Sequence, residues 1–265
     1  CKYLVYFWSW SCLMGGILSS TLWWKYTAPS ALPSLNVWYY ANDGLQLNKT
    51  STPLANNTAV TSWQNAGGLV SHDWNSTGGH RPTYFTPVKN GLGIVRFSPA
   101  ATSALTINPI AYMRSLGAVT MAILFKSSNT SAGNRIVSTT DTNEFRWGQN
   151  GTQWIGGFSG ATFTVDTKVA DTNWHYIVMK FDGTQSNNST RMTARLDAAD
   201  LSLTFTGTVA NTTSASSSTF YGGVDSTGNS NYFDGDIGEL MFWTRALVPG
   251  EVTLVENYLS TKWAV

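Results

Sequence analysis

Apolar positions in this chain come mostly in short alternating or clustered runs divided by polar turns, which is the period of strands rather than helices. Such runs predict strands over residues 37–40, 94–97, 118–125, 135–138, 144–148, 154–158 and 162–165, and again over 175–181, 191–196, 201–206, 219–222 and 238–243. Turn signals stand among them, including Asn42-Asp43-Gly44, Asn150-Gly151, Asp182-Gly183 and Asp234-Gly235. Within 118–125, Met121, Ile123 and Phe125 alternate with Ala122 and Leu124. Both faces of that strand are therefore apolar, and both are expected to be buried. The period changes near the C-terminus, after a strand-like run that holds Ile237, Leu240 and Phe242. Val252, Val255 and Leu259 then fall at i, i+3 and i+7 behind Pro249 and Glu251, which predicts one short helix with an apolar stripe. The pattern as a whole predicts an all-β, two-sheet antiparallel jelly-roll sandwich closed by that helix.

The N-terminus follows neither period. Residues 3–24 carry no charge, a length sufficient to cross a bilayer as a helix, for which about 20 residues are needed. Tyr3, Tyr6 and Trp8 near one end and Trp23 and Trp24 near the other have the placing of interfacial aromatic belts. Several Ser and Thr residues and the Gly15-Gly16 pair weaken the apolar run, and Lys2 and Lys25 flank both ends, so charge assigns no orientation. Four readings stand: a membrane anchor, an apolar arm buried against neighbouring subunits, the remnant of a secretory signal, or N-myristoylation of Gly15 should translation begin at Met14. The organisation expected is an apolar, helical anchor or arm over 1–26, a linker over 27–34 marked by Pro29 and Pro33, and the sandwich over 35–265.

Composition narrows this further. A chain of 265 residues has room for one large all-β domain, and 12% charged residues with a net charge of +1 exclude an electrostatic nucleic-acid footprint. The two cysteines, Cys1 and Cys12, both precede the sandwich, so neither disulfides nor a cysteine-rich zinc site stabilise it.

Three stretches carry a family resemblance. Asp234-Gly235-Asp236-Ile237-Gly238-Glu239-Leu240, followed by Arg245-Ala246-Leu247, Glu251, Tyr258-Leu259 and Lys262, resembles the C-terminal signature of the laminin G-like branch of the concanavalin A-like lectin/glucanase superfamily. Trp174-His175-Tyr176-Ile177-Val178-Met179-Lys180-Phe181-Asp182-Gly183 is similar to its central strand and turn, and Arg81-Pro82-Thr83-Tyr84 with the run from Gly91 to Phe97 resembles its early strands. The likeness runs from about Leu35 to Trp263 and implies the fold, with little about function.

The glucanase branch that this resemblance brings to mind sets Glu-x-Asp-x-Glu on one strand, holding two carboxylates about 5 Å apart. Here Glu144, Glu239, Glu251 and Glu256 are the four glutamates, and none has that spacing, so no catalytic residue and no enzyme are expected. Asp225, Asp234 and Asp236 are candidate ligands for Ca²⁺, as in some laminin G-like domains, against the simpler reading of a tight turn at Asp234-Gly235 with Asp236 capping it. No cofactor is otherwise expected. His72, His80 and His175 lack metal or nucleophile spacing. Trp63, Trp74, Trp147 and Trp154 are candidate stacking platforms for a glycan, with Asn143, Arg146, Gln149 and Asn150 as hydrogen-bonding neighbours, unless these rings fill the core. Eight Asn-x-Ser/Thr sequons, at Asn48, Asn56, Asn75, Asn129, Asn150, Asn187, Asn188 and Asn211, are possible glycosylation sites.

Three functions follow. The first is a non-catalytic structural protein of a large assembly, a minor capsid or virion component whose sandwich contacts neighbouring subunits and whose N-terminus anchors it to membrane or other chains. The second is a carbohydrate-binding or adhesion module on a cell or virus surface. The third, a glycan-cleaving enzyme, lacks its carboxylate pair. Expected partners are protein subunits, lipid through residues 3–24, or glycans, with no nucleic acid.

Overall fold

The computed structural model describes residues 29–67, 72–76, 78–108, 111–130, 133–140, 145–216 and 219–265. The expected N-terminal helix over 1–26, Gly15, and Asn143 and Glu144 lie outside the described residues.

The chain opens with strands β1 (Leu35–Tyr40), β2 (Thr58–Ala59), β3 (Ser62–Trp63), β4 (Trp74–Asn75), β5 (Thr83–Lys89), β6 (Leu92–Phe97) and β7 (Leu105–Ile107). Then come β8 (Ala118–Ser127), β9 (Asn134–Thr139), β10 (Phe145–Asn150), β11 (Gln153–Phe158), β12 (Ala161–Val169) and β13 (Trp174–Asp182). A short helix α1 (Asn188–Arg191) precedes β14 (Met192–Leu196), β15 (Ala199–Asp200), β16 (Leu203–Thr206), β17 (Phe220–Gly222) and β18 (Gly235–Trp243), and helix α2 (Pro249–Trp263) ends the chain. The strands form two antiparallel sheets: β15-β14-β13-β8-β18-β6-β5-β2 with β1 on β18, and β16-β12-β11-β10-β9-β17-β7-β4-β3. The fold is the expected all-β sandwich with one C-terminal helix. Strands β2 to β4 and β15 are two residues each, too short to leave a period in the sequence, and β5 and β7 also fall outside the predicted runs.

The first sheet is buried on both sides, for the reason β8 foreshadows. Met121, Ile123 and Phe125 face the second sheet, while Ala122 and Leu124 face α2. Strand β13 divides the same way, with Ile177, Met179 and Phe181 inside and Tyr176 and Val178 under the helix. Val252, Val255 and Leu259, the predicted stripe, close this second layer with Trp263. Each such side chain removed from water contributes about 1.5–3 kcal/mol.

Strand β18 explains an irregular spacing. Ile237, Leu240 and Phe242 all face the inter-sheet core because the register shifts between Ile237 and Glu239. At that bulge Gly238 leaves room for the helix, since a Cβ there would meet the Trp263 ring at 2.7 Å. Asp234-Gly235 is accordingly not a tight turn: Gly235 opens β18, which begins three residues before the predicted start at residue 238.

Past the bulge, Glu239 points into the helix layer and is fully buried. It accepts hydrogen bonds from Trp38 Nε1 (2.6 Å), Tyr258 Oη (2.8 Å), Lys262 Nζ (2.8 Å) and Trp263 Nε1 (2.8 Å). Lys262 also lies over the rings of Tyr40, Tyr258 and Trp263, at 5.2, 5.1 and 5.6 Å. One carboxylate thus ties β1, β18 and α2 together. Glu251 starts the helix, accepting from Val248 N at 3.0 Å and pairing with Arg245 at 2.6 and 2.8 Å.

Candidate functional site

With helix α2 on the first sheet, the outer face of the second sheet is the broad surface left for a ligand. Strand β17 alternates across it: Phe220 enters the core and Tyr221 is half-exposed on the outside. Tyr221 pairs with Thr106 on β7 and with Ser138 on β9, and Thr106 pairs in turn with Asn75 on β4. Around the Tyr221 ring lies a cleft of about 400 Å³, lined by His80, Thr102, Ala104, Thr106, Asn108, Thr219, Thr227 and Gly228.

The loop after β17 forms one wall. Asp225 organises it, accepting from Thr227 N (3.0 Å), Thr227 Oγ1 (2.6 Å), Asn231 Nδ2 (2.9 Å) and Ser230 Oγ. Burial alone would push that carboxyl up, but the bonds from Ser230, Thr227 and Asn231 outweigh it and hold it below the usual range. Gly228, at φ +73°, lies against the phenol, where a Cβ would come within 3.1 Å of the Tyr221 hydroxyl. The Tyr221 hydroxyl and the Asn108 amide make no hydrogen bond among the described residues, whereas Thr106 Oγ1 donates to Asn75 O and the His80 ring meets Thr102 Oγ1. The cleft therefore offers a flat apolar ring bordered by free and shared hydroxyl, amide and imidazole groups. Among the described residues no carboxylate lines it. Two further hollows are less suited: at α1, Asn188 and Arg191 are spent on backbone bonds, and beside α2, Arg195 is tied to Asp200 and Glu256.

The four tryptophans predicted as platforms are elsewhere. Trp63, Trp74, Trp147 and Trp154 are all 0% exposed, so no ligand reaches them and that assignment is corrected. Their strand positions point inward. Trp147 and Trp154 stack at 5.5 Å and both contact Phe125, while Trp74 stacks on Tyr39 at 4.9 Å and meets Trp63 at 5.9 Å. Of their predicted partners Gln149 is buried, Asn150 is exposed at the β10–β11 hairpin, and Arg146 stands on the outer face. Tyr221 had a signal in the sequence, the in-and-out alternation of Phe220 and Tyr221, that was not used.

The carboxylates are also reassigned. Asp225, Asp234 and Asp236 do not converge, and no cluster of three or more acidic, His or Cys side chains suited to a metal occurs among the described residues. Asp225 holds its own loop, Asp234 accepts from Asn129 Nδ2 at 2.5 Å, and Asp236 forms a two-point pair with Arg96 at 2.6 and 2.9 Å. Asp236 therefore caps no turn; it sits opposite Arg96 in the β18–β6 register. Glu239, Glu251 and Glu256 are all engaged in packing α2, Glu256 through Arg195 at 2.8 Å. His175 is buried in β13 between Asp197 (2.7 Å) and Asp171 (2.9 Å), and the His72 ring lies tilted by 38° against Tyr112 at 3.9 Å.

Among the sequons, Asn56, Asn75, Asn150, Asn187 and Asn211 are exposed, and Asn48, Asn129 and Asn188 are half-buried. The amide nitrogens of Asn48, Asn75, Asn129 and Asn188 are already bonded, to Ala59 O, Asp73 O, Asp234 and Gly207 O. No helix of the described residues is long and apolar enough to cross a membrane.

The profile of a family described as the concanavalin A-like lectin/glucanases superfamily matches residues 98–253, more than half of the chain. Comparison with curated proteins gives no significant match. Among solved structures, a Trypanosoma rangeli sialidase in complex with 2,3-difluorosialic acid is similar at a TM-score of 0.49 and 11% identity, over 87% of this chain and 33% of that one. The CBM40 of a Ruminococcus gnavus IT-sialidase, bound to α2,3-sialyllactose, gives 0.43 and 14%, over 55% and 85%. A botulinum neurotoxin serotype C1 binding domain gives 0.48 and 8%, over 76% and 52%. This chain thus spans about a third of the sialidase, and likenesses at this level carry no ligand or activity across.

Proposed function

The chain belongs to the concanavalin A-like lectin/glucanase superfamily, and from that premise we propose that it is a carbohydrate-binding module that holds a glycan in the Tyr221 cleft without cleaving it. The observation that carries this reading is the half-exposed Tyr221 ring with its unengaged hydroxyl, set among Thr106, Asn108, Thr219 and Thr227. A sugar has an apolar ring face and a rim of hydroxyls, and an aromatic plane bordered by small polar side chains matches both. Such sites gain affinity by combining apolar contact with a few placed hydrogen bonds. A module of this kind acts at a cell or virus surface, which is the setting we assign to it.

The structural-subunit reading, with a capsid role and an anchor, rests on residues 3–24, which lie outside the described residues. Nothing on the described surfaces favours it over glycan binding. The test is a glycan array followed by calorimetric titration of the best ligand. Tyr221→Ala should weaken binding by about tenfold or more, the equivalent of about 1.4 kcal/mol. Unchanged affinity in a folded Tyr221→Ala protein would sink the assignment.

A further inference from the structure

The outer face of the second sheet carries two arginines. Arg146 on β10 and Arg135 on β9 stand on neighbouring strands, with Arg135 opposite Gly148 in the register. Arg146 is two residues before Gly148, and across the register shift between Trp147 and Gly148 the two side chains stay close enough for the Arg146 charge to act on Arg135. Neither forms an ion pair among the described residues. Arg135 spends one nitrogen on the carbonyls of Gln149 (3.0 Å) and Asn134 (3.3 Å). Among the described residues Arg146 has no hydrogen-bond or ion-pair partner, and its Nε is enclosed without one.

This arrangement is costly and only partly compensated among the described residues. Burial pulls the Arg146 guanidinium down, and burial together with the Arg146 charge pulls Arg135 down to about 10. The carboxylate that Arg135 feels, Asp225, has its oxygens taken by Thr227, Ser230 and Asn231. A pair of like charges held half-buried, with Asp225 the one carboxylate acting on it among the described residues, is a receptor for an anion, and the planar guanidinium suits carboxylate and sulfate oxygens in particular.

The pair also lies near the cleft. Trp147 pairs with Val137, so Arg146 falls opposite Ser138, and Ser138 pairs with Tyr221. Two strand spacings, about 10 Å, separate Arg146 from Tyr221 on one face. That is within the span of an oligosaccharide seated on the ring. We infer that the glycan bound by this face is acidic, bearing a carboxylate or a sulfate ester, and that Arg146 and Arg135 dock that charge. This rests on the glycan-binding reading and adds the ligand class to it.

The experiment presents the full chain to arrays of neutral, uronic-acid-containing and sulfated glycans. The best acidic ligand is then titrated beside its carboxyl-reduced or desulfated counterpart. The charged form should bind about tenfold tighter or more at low salt, with the advantage shrinking as salt rises. Arg146→Gln should bring the charged ligand down to the level of its neutral counterpart, Arg146→Lys should keep part of the preference, and Tyr221→Ala should weaken both ligands alike. Equal binding of charged and neutral glycans, or a preference that survives Arg146→Gln, overturns the inference and leaves the Tyr221 cleft standing. Loss of the preference in Arg146→Gln with no effect of Tyr221→Ala keeps the anion site and removes the cleft. Absence of binding to every glycan class overturns both.

Discussion

At the scale of the residue, His175 shows how a side chain within a family signature is used for structure. It is buried between Asp197 and Asp171, and Asp197 also pairs with Lys168. Burial would push the imidazole down, but the hydrogen bonds and charges of Asp197 and Asp171 prevail and raise it above its ordinary value. Against the opposing effect of burial, the Asn173 backbone N–H and His175 lower the Asp171 carboxyl, and His175 and Lys168 lower that of Asp197. A raised histidine stabilises the fold fully below the unfolded pKa of about 6.5 and loses that contribution as pH climbs through the folded value. The lowered aspartates act oppositely, stabilising above about 3.9 and failing as pH falls. Melting temperature should therefore decline as pH rises above about 6.5, and His175→Gln should flatten that decline. A slope unchanged by the substitution would assign it to other groups. Sequence reading placed His175 in a central strand correctly, but of its two acidic neighbours only Asp171 is local, and Asp197 is brought from the turn after β14 by the pairing of β13 with β14.

At the scale of the element, helix α2 is held by one buried carboxylate as much as by its apolar stripe. The stripe was legible because Val252, Val255 and Leu259 repeat with the helical period. Glu239 was not, since its spacing from Trp38 and Lys262 has no periodic signature and its partners come from a distant strand and the helix itself. Removing it would leave the Lys262 ammonium and two indole donors facing a cavity. Glu239→Ala should cost about 3–5 kcal/mol of stability, the range for breaking a buried ion pair from one side. Urea unfolding checks this, and a loss under about 1 kcal/mol would mean the helix is held by packing alone.

At the scale of the molecule, the sandwich from residue 29 onward closes its own core, with one apolar layer between the sheets and a second beneath α2. It holds no cysteine. We expect residues 29–265 produced alone to unfold in one cooperative transition and to retain glycan binding. A molten, aggregating product would show instead that the preceding segment completes the fold. The sequence by itself determined the strand-rich architecture, the doubly buried strand β8 and the closing helix, because periodicity records which faces leave water. Only the tertiary structure decided the site. Whether a tryptophan is core or platform depends on strand direction and on which sheet lies opposite, and all four candidates turned inward. Tyr221 reaches the face that holds Arg135 and Arg146 through the pairing of β17 with β9, strands remote in sequence, and composition and local spacing carry no record of such a pairing.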